Sequence, residues 1–104
     1  MDKFLNLLEV SDWENAPNYP DGTQRKILYD EKDSQTVLLK LPEGFYMSPH
    51  THIHSEQHLV IKGAYESEGR KYNEGTYRSF QAHENHGPFE SKSGAIVLVF
   101  WHPI

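Results

Sequence analysis

The sequence predicts a small all-β domain built as a sandwich, jelly roll or barrel. Two observations carry this. Apolar and β-branched segments of strand length recur about every ten residues, separated by Gly, Pro, Asn and Asp clusters. Beyond the N-terminal stretch, no segment holds a helical period. Seven to nine short strands are expected.

Taken in order, FLNLLEV (residues 4–10) fits a short strand or a helical turn, both poorly. Trp13 precedes a loop from Asn15 to Gly22 that holds Pro17, Pro20 and the Asp21-Gly22 pair. KILYD is a short strand, Glu31 to Ser34 a polar turn, and TVLLKL a strong strand closed by Pro42-Glu43-Gly44. FYMSPHTHIH reads as extended, because Pro49 disfavours helix at its own position and at Ser48. HLVIKGAYES is a strand that ends or bends at Gly63, and RKYNEG a turn-prone excursion. TYRSF alternates, HENHGPF is loop-like, and GAIVLVFW is the strongest buried strand. With no composition break or repeat, one domain is expected over residues 1–104: an arm and loop over 1–24 and a barrel over 25–104.

Composition narrows the function classes. The net charge of −5, with Lys and Arg scattered, argues against a nucleic-acid surface, which needs clustered cations to release phosphate counterions. No run is long and apolar enough for a membrane span, and the start lacks the basic and apolar pattern of a secretory signal. A cytoplasmic location is the corresponding expectation. The absence of cysteine excludes disulfides, thiolate sites and cysteine nucleophiles.

Histidine is the outlier: six of the seven lie between positions 50 and 86. In an extended chain His50 and His52 share a face, so two imidazoles can converge on one ion at about 2.0–2.1 Å. A turn around Ser55 would bring Glu56 beside them as an oxygen ligand. The AHENHGPF segment offers His83 or His86 as a further ligand. Such a set leaves one or two positions open on a five- or six-coordinate metal, and open positions permit chemistry.

These residues resemble the cupin pattern. Its first motif, G-x5-H-x-H-x3-E-x6-G, is reproduced in full by Gly44, His50, His52, Glu56 and Gly63. Its second motif, G-x5-P-x-G-x2-H, keeps Gly75 and His86 at its ends, while Gln81 replaces the proline and His83 the glycine. The order Trp13, PDG, KILYDE, TVLLKLPEG, HTH, VIKG, EGTYR and HGPFESKSGAIVLVF is similar to that of ChrR-type cupins. That group includes the zinc-binding domain of an anti-sigma factor and small enzymes similar to acetylacetone-cleaving dioxygenases.

The resemblance implies an RmlC-like double-stranded β-helix, or jelly-roll barrel. It implies one divalent ion (Fe, Zn, Ni or Mn) on His50, His52, Glu56 and His86. Cupins commonly dimerise, so a homodimer is expected. The chain departs from its group in having Ile53-His54-Ser55 where a glycine-rich turn is usual, and Gln57 where a second glutamate is usual. His54 and His58 are therefore extra. Alternation puts Glu56, His58 and Val60 on one face, which makes His58 a candidate catalytic residue, as a proton acceptor or as support for the metal site. Arg78 is a candidate for binding an anionic substrate. The expected function is a non-haem metal-dependent dioxygenase, or related enzyme, acting on a small chelating substrate such as a dicarbonyl. The alternative is a non-catalytic metal- or ligand-binding sensory module.

Overall fold

The structure is a computed structural model and describes residues 4–51 and 54–102. Among these residues the regular elements are ten β-strands and no helix. They are β1 (Glu14–Asn15), β2 (Gln24–Glu31), β3 (Ser34–Leu41), β4 (Phe45–Met47), β5 (Ser55–Gly63), β6 (Tyr65–Ser67), β7 (Arg70–Tyr72), β8 (Tyr77–Phe80), β9 (Phe89–Ser91) and β10 (Ala95–His102). All pairings are antiparallel, in a six-stranded sheet ordered β1-β2-β3-β10-β5-β8 and a four-stranded sheet ordered β4-β9-β6-β7. This is the expected all-β jelly-roll architecture. No helix among the described residues is long and apolar enough to cross a membrane.

The core lies between the sheets. Val37, Leu39 and Leu41 of β3 face inward with Ala95, Val97 and Val99 of β10 and Val60 of β5. Val37 stands directly opposite Val99, and Leu39 opposite Val97. Cross-strand pairs of β-branched residues are a main source of sheet stability. Phe45, Tyr65 and Phe89 of the four-stranded sheet close the space from the other side, and Phe80 of β8 completes the cluster. On the reverse face Leu38 and Leu98 also pair and are buried, which accounts for the unbroken apolar runs of β3 and β10.

Three local readings change. Residues 4–13 form neither strand nor helix, and among the described residues before β2 the arm joins a sheet through β1. RKYNEG is not all turn: Arg70–Tyr72 pairs with β6 across a two-residue turn in which Glu68 and Gly69 both have positive φ. That is the mirror-image turn whose twist suits a hairpin, and Glu in its first position hides it from a sequence reading. Finally, the segment leading to His50 is not a continuous strand. After Met47 the chain leaves the ladder, and among the described residues through Thr51 it makes one isolated bridge, His50 with His86.

The broken ladder has a chemical cause. β4 pairs β9 as Phe45–Ser91, Tyr46–Glu90 and Met47–Phe89, and the His50–His86 bridge continues the same register. In between, Ser48 would oppose Pro88 and Pro49 would oppose Gly87. Ser48–Pro88 falls at a hydrogen-bonding position of this register, and Pro88 has no amide hydrogen to give the ladder. Gly87 sits at φ +106°, and a Cβ there would come within 3.1 Å of the Pro49 Cα. Simple alternation from Phe45 and Met47 would turn His50 outward; the break lets the chain slip phase and present it inward.

Candidate metal centre

The bridge places two predicted ligands side by side. The amide of His50 donates to the carbonyl of His86 and the reverse bond is also made, both at 2.9 Å. Residues directly opposed across antiparallel chains point to the same face. Their imidazole centroids are accordingly 4.7 Å apart. Two rings bound cis on one ion at ordinary metal–nitrogen distances would have centroids about 4.5–5 Å apart. His50 Nδ1 lies 3.2 Å from the Ser48 carbonyl, which fixes that nitrogen as the donor and puts the lone pair on Nε2. His86 is buried and its ring stacks on Phe80 at 4.5 Å.

Glu56 comes from the second position of β5, where it is 4% exposed, opposite Phe80 on one side and Trp101 on the other. Ser55 is already the first residue of β5, preceded by a bend at His54. A buried carboxylate must be hydrogen-bonded. Trp101 donates its indole N–H to Oε1, and His58 Nε2 lies 2.6 Å from Oε2. These two bonds hold the carboxylate of Glu56 in one orientation at the cavity wall.

His58 faces the interior with Glu56 and Val60, as strand alternation requires. Its Nδ1 lies 2.9 Å from the Tyr65 hydroxyl, which in turn accepts a bond from Arg78 Nη1 at 3.2 Å. The directions close as a chain: Arg78 donates to Tyr65, Tyr65 to His58 Nδ1, and His58 Nε2–H to Glu56. Burial pushes the Tyr65 phenol up from its ordinary range, and the Arg78 guanidinium only partly offsets this. Burial, reinforced by the charge of Glu56, raises Tyr19 further.

These groups surround a cavity of about 40 Å³ lined by His50, Glu56, His58, Tyr19, Tyr65 and Phe89, with the aliphatic wall of β3 and β10 beneath. That volume is room for roughly two or three waters. Among the described residues, no three His, Cys, Asp or Glu side chains meet closely enough to form a metal cluster by themselves. His52 lies outside the described residues. The donor types, the ring separation and the His50 tautomer all suit a divalent ion.

The other histidines are placed elsewhere. His54 stands at a bend and borders a shallow groove with Gln35 and Trp101. His83 is exposed on its loop with φ +66°. His102 is 3.0 Å from the Gln57 amide nitrogen and stacks on Phe100. Trp101 and Tyr65 were not anticipated as site residues. A tryptophan in phase with Val97 and Val99 was the available signal, because an inward indole N–H needs an acceptor.

The sequence profile of the ChrR cupin-like domain matches residues 2–104. The chain belongs to the ChrR cupin-like family. Among solved structures, this cupin is similar to an acetylacetone dioxygenase from Acinetobacter johnsonii, with TM-score 0.79 and 16% identity over 98% of this chain and 74% of that one. It is similar to KdgF from a Halomonas species, with TM-score 0.74 and 26% identity over 100% of this chain and 96% of the other. A third likeness is to the complex of Rhodobacter sphaeroides SigE with the anti-sigma ChrR, with TM-score 0.73 and 23% identity over 90% of this chain. There the cupin spans only half of the matched chain, 50%. No curated protein sequence matches this cupin.

Proposed function

We propose that this cupin binds one divalent metal ion through His50, His52, Glu56 and His86 and acts on a small chelating substrate of the dicarbonyl type. The observation that carries the reading is the directly opposed His50–His86 pair beside the buried Glu56. When bound, the ion would act as a Lewis acid toward a chelating oxygen pair and, as iron, would support dioxygen chemistry.

The chain's own groups have separable tasks. Trp101 and His58 hold Glu56 in one orientation. Tyr65 fixes the tautomer of His58, leaving a proton on Nε2 at the edge of the cavity. Phe89 and the β3–β10 wall exclude bulk water, which strengthens every polar interaction inside. Dimerisation through edge strands belongs to the same reading, and light scattering tests it.

A second reading, a metal-binding module without turnover, is favoured by the cavity volume. About 40 Å³ is far below the roughly 300 Å³ of an ordinary small-molecule pocket. Elemental analysis of protein purified without added metal tests both. About one ion per chain is expected in wild type and in His83→Ala, with loss in His52→Ala and His86→Ala. Wild type without stoichiometric metal refutes the proposal. Oxygen uptake with acetylacetone then separates the enzyme from the silent module.

A further inference from the structure

A second cleft, of about 180 Å³, opens where edge strand β8 faces the β6–β7 turn. It is separate from the barrel cavity, although His86 and Phe80 line its wall. Arg78 lies along it. The guanidinium carbon sits 4.0 Å from the Tyr72 ring centroid and 4.7 Å from that of Phe80. Stacked rings cover the flat faces of the guanidinium and leave its N–H edges as the working surface. One edge donor goes to the Tyr65 hydroxyl, and no carboxylate among the described residues is within ion-pair distance.

Ser67 supplies the second observation. It lines the same cleft, is 4% exposed, and its hydroxyl has no hydrogen-bond partner among the described residues. A buried hydroxyl without a partner is costly, and a ligand oxygen would relieve that cost. Glu68 and Glu84 stand at the rim. Their charges discourage a dianion while tolerating a single negative charge held on the guanidinium.

We infer that this cleft binds a small monocarboxylate, with the Arg78 fork taking the two carboxylate oxygens and the Ser67 hydroxyl donating to one of them. The planar fork matches a carboxylate in a way that an ammonium does not. The site needs no metal ion, although His86 borders it, and its test is arranged to show this.

Acetate and inorganic phosphate are titrated into ¹⁵N-labelled protein while the Arg78 side-chain Nε–H resonance and the Ser67 amide are followed. Acetate is expected to shift both, and phosphate at pH 8 to bind at least ten-fold more weakly. Acetate affinity should fall ten-fold or more in Arg78→Gln and about three-fold in Ser67→Ala, and stay unchanged in His52→Ala. Arg78→Lys keeps the charge without the fork, and should bind several-fold more weakly. It serves as the decisive variant if Arg78→Gln does not fold. Binding that survives Arg78→Gln, equals wild type in Arg78→Lys or disappears in His52→Ala overturns the inference. So does a Ser67→Ala protein with unaltered acetate affinity, because the serine would then only pack.

Discussion

Replacing Trp101 by Phe isolates the bond that anchors Glu56. Phenylalanine retains an aromatic ring on β10 and deletes the N–H that reaches Oε1. A hydrogen bond to a charged group contributes about 1.5–3 kcal/mol, and leaving a buried carboxylate oxygen short of a donor places the cost in that range. The packing loss adds little, because Trp101 is only partly buried. For a domain of this size, each kcal/mol lowers Tm by about 4–8 °C, so a fall of about 6–24 °C is expected. Urea denaturation in the presence of chelator is the assay, with Trp13→Phe as the fluorescence control, since these are the two tryptophans. An unchanged m-value with a loss below about 0.5 kcal/mol refutes the reasoning, for it would mean that Glu56 does not depend on the indole.

Further perturbations read other parts of the fold. Gly63→Ala should cost at least about 2–3 kcal/mol, because φ is +74° and the new Cβ would lie 2.4 Å from the Gly94 carbonyl oxygen. Gly44→Ala, at φ +77° but with nothing within 4 Å, should cost only about 1–2 kcal/mol; equal losses in urea melts would discard the steric argument. Leu39→Ala removes a core side chain between the sheets and should cost about 2–5 kcal/mol in the same melts. Tyr19 and Tyr65 have phenols raised by burial, so their contribution is complete below about pH 10 and is lost as pH rises from there toward their folded values. Two of the six tyrosines should therefore ionise late in an absorbance titration, and all six ionising near pH 10 in folded protein would contradict this.

Much of the fold was legible because its signals are local. The apolar runs of β3 and β10, the alternation of β5 and the Gly and Pro punctuation all reside in neighbouring residues. β7 was not, because the αL conformation of Glu68 is unusual for that residue and follows from the hairpin twist. The spacing of His50, His52 and Glu56 pointed to a metal, but by way of a continuous strand that does not exist at His50. Pro49 was read as excluding helix, and none forms there; the gap in the ladder comes instead from Pro88, which has no amide hydrogen to offer opposite Ser48.

The sequence by itself determined the all-β class, the cupin family and the side-chain types of the proposed metal site, because strand period and motif spacing are properties of one chain segment at a time. Only the tertiary structure decided which groups meet. The β4–β9 register sets His50 against His86, and the β5–β10 register sets Glu56 against Trp101. The approach of β8 to the β6–β7 hairpin brings Arg78 to Tyr65 and past it to His58. These contacts join residues far apart in the chain, and their geometry depends on how two sheets pack, which no local pattern encodes.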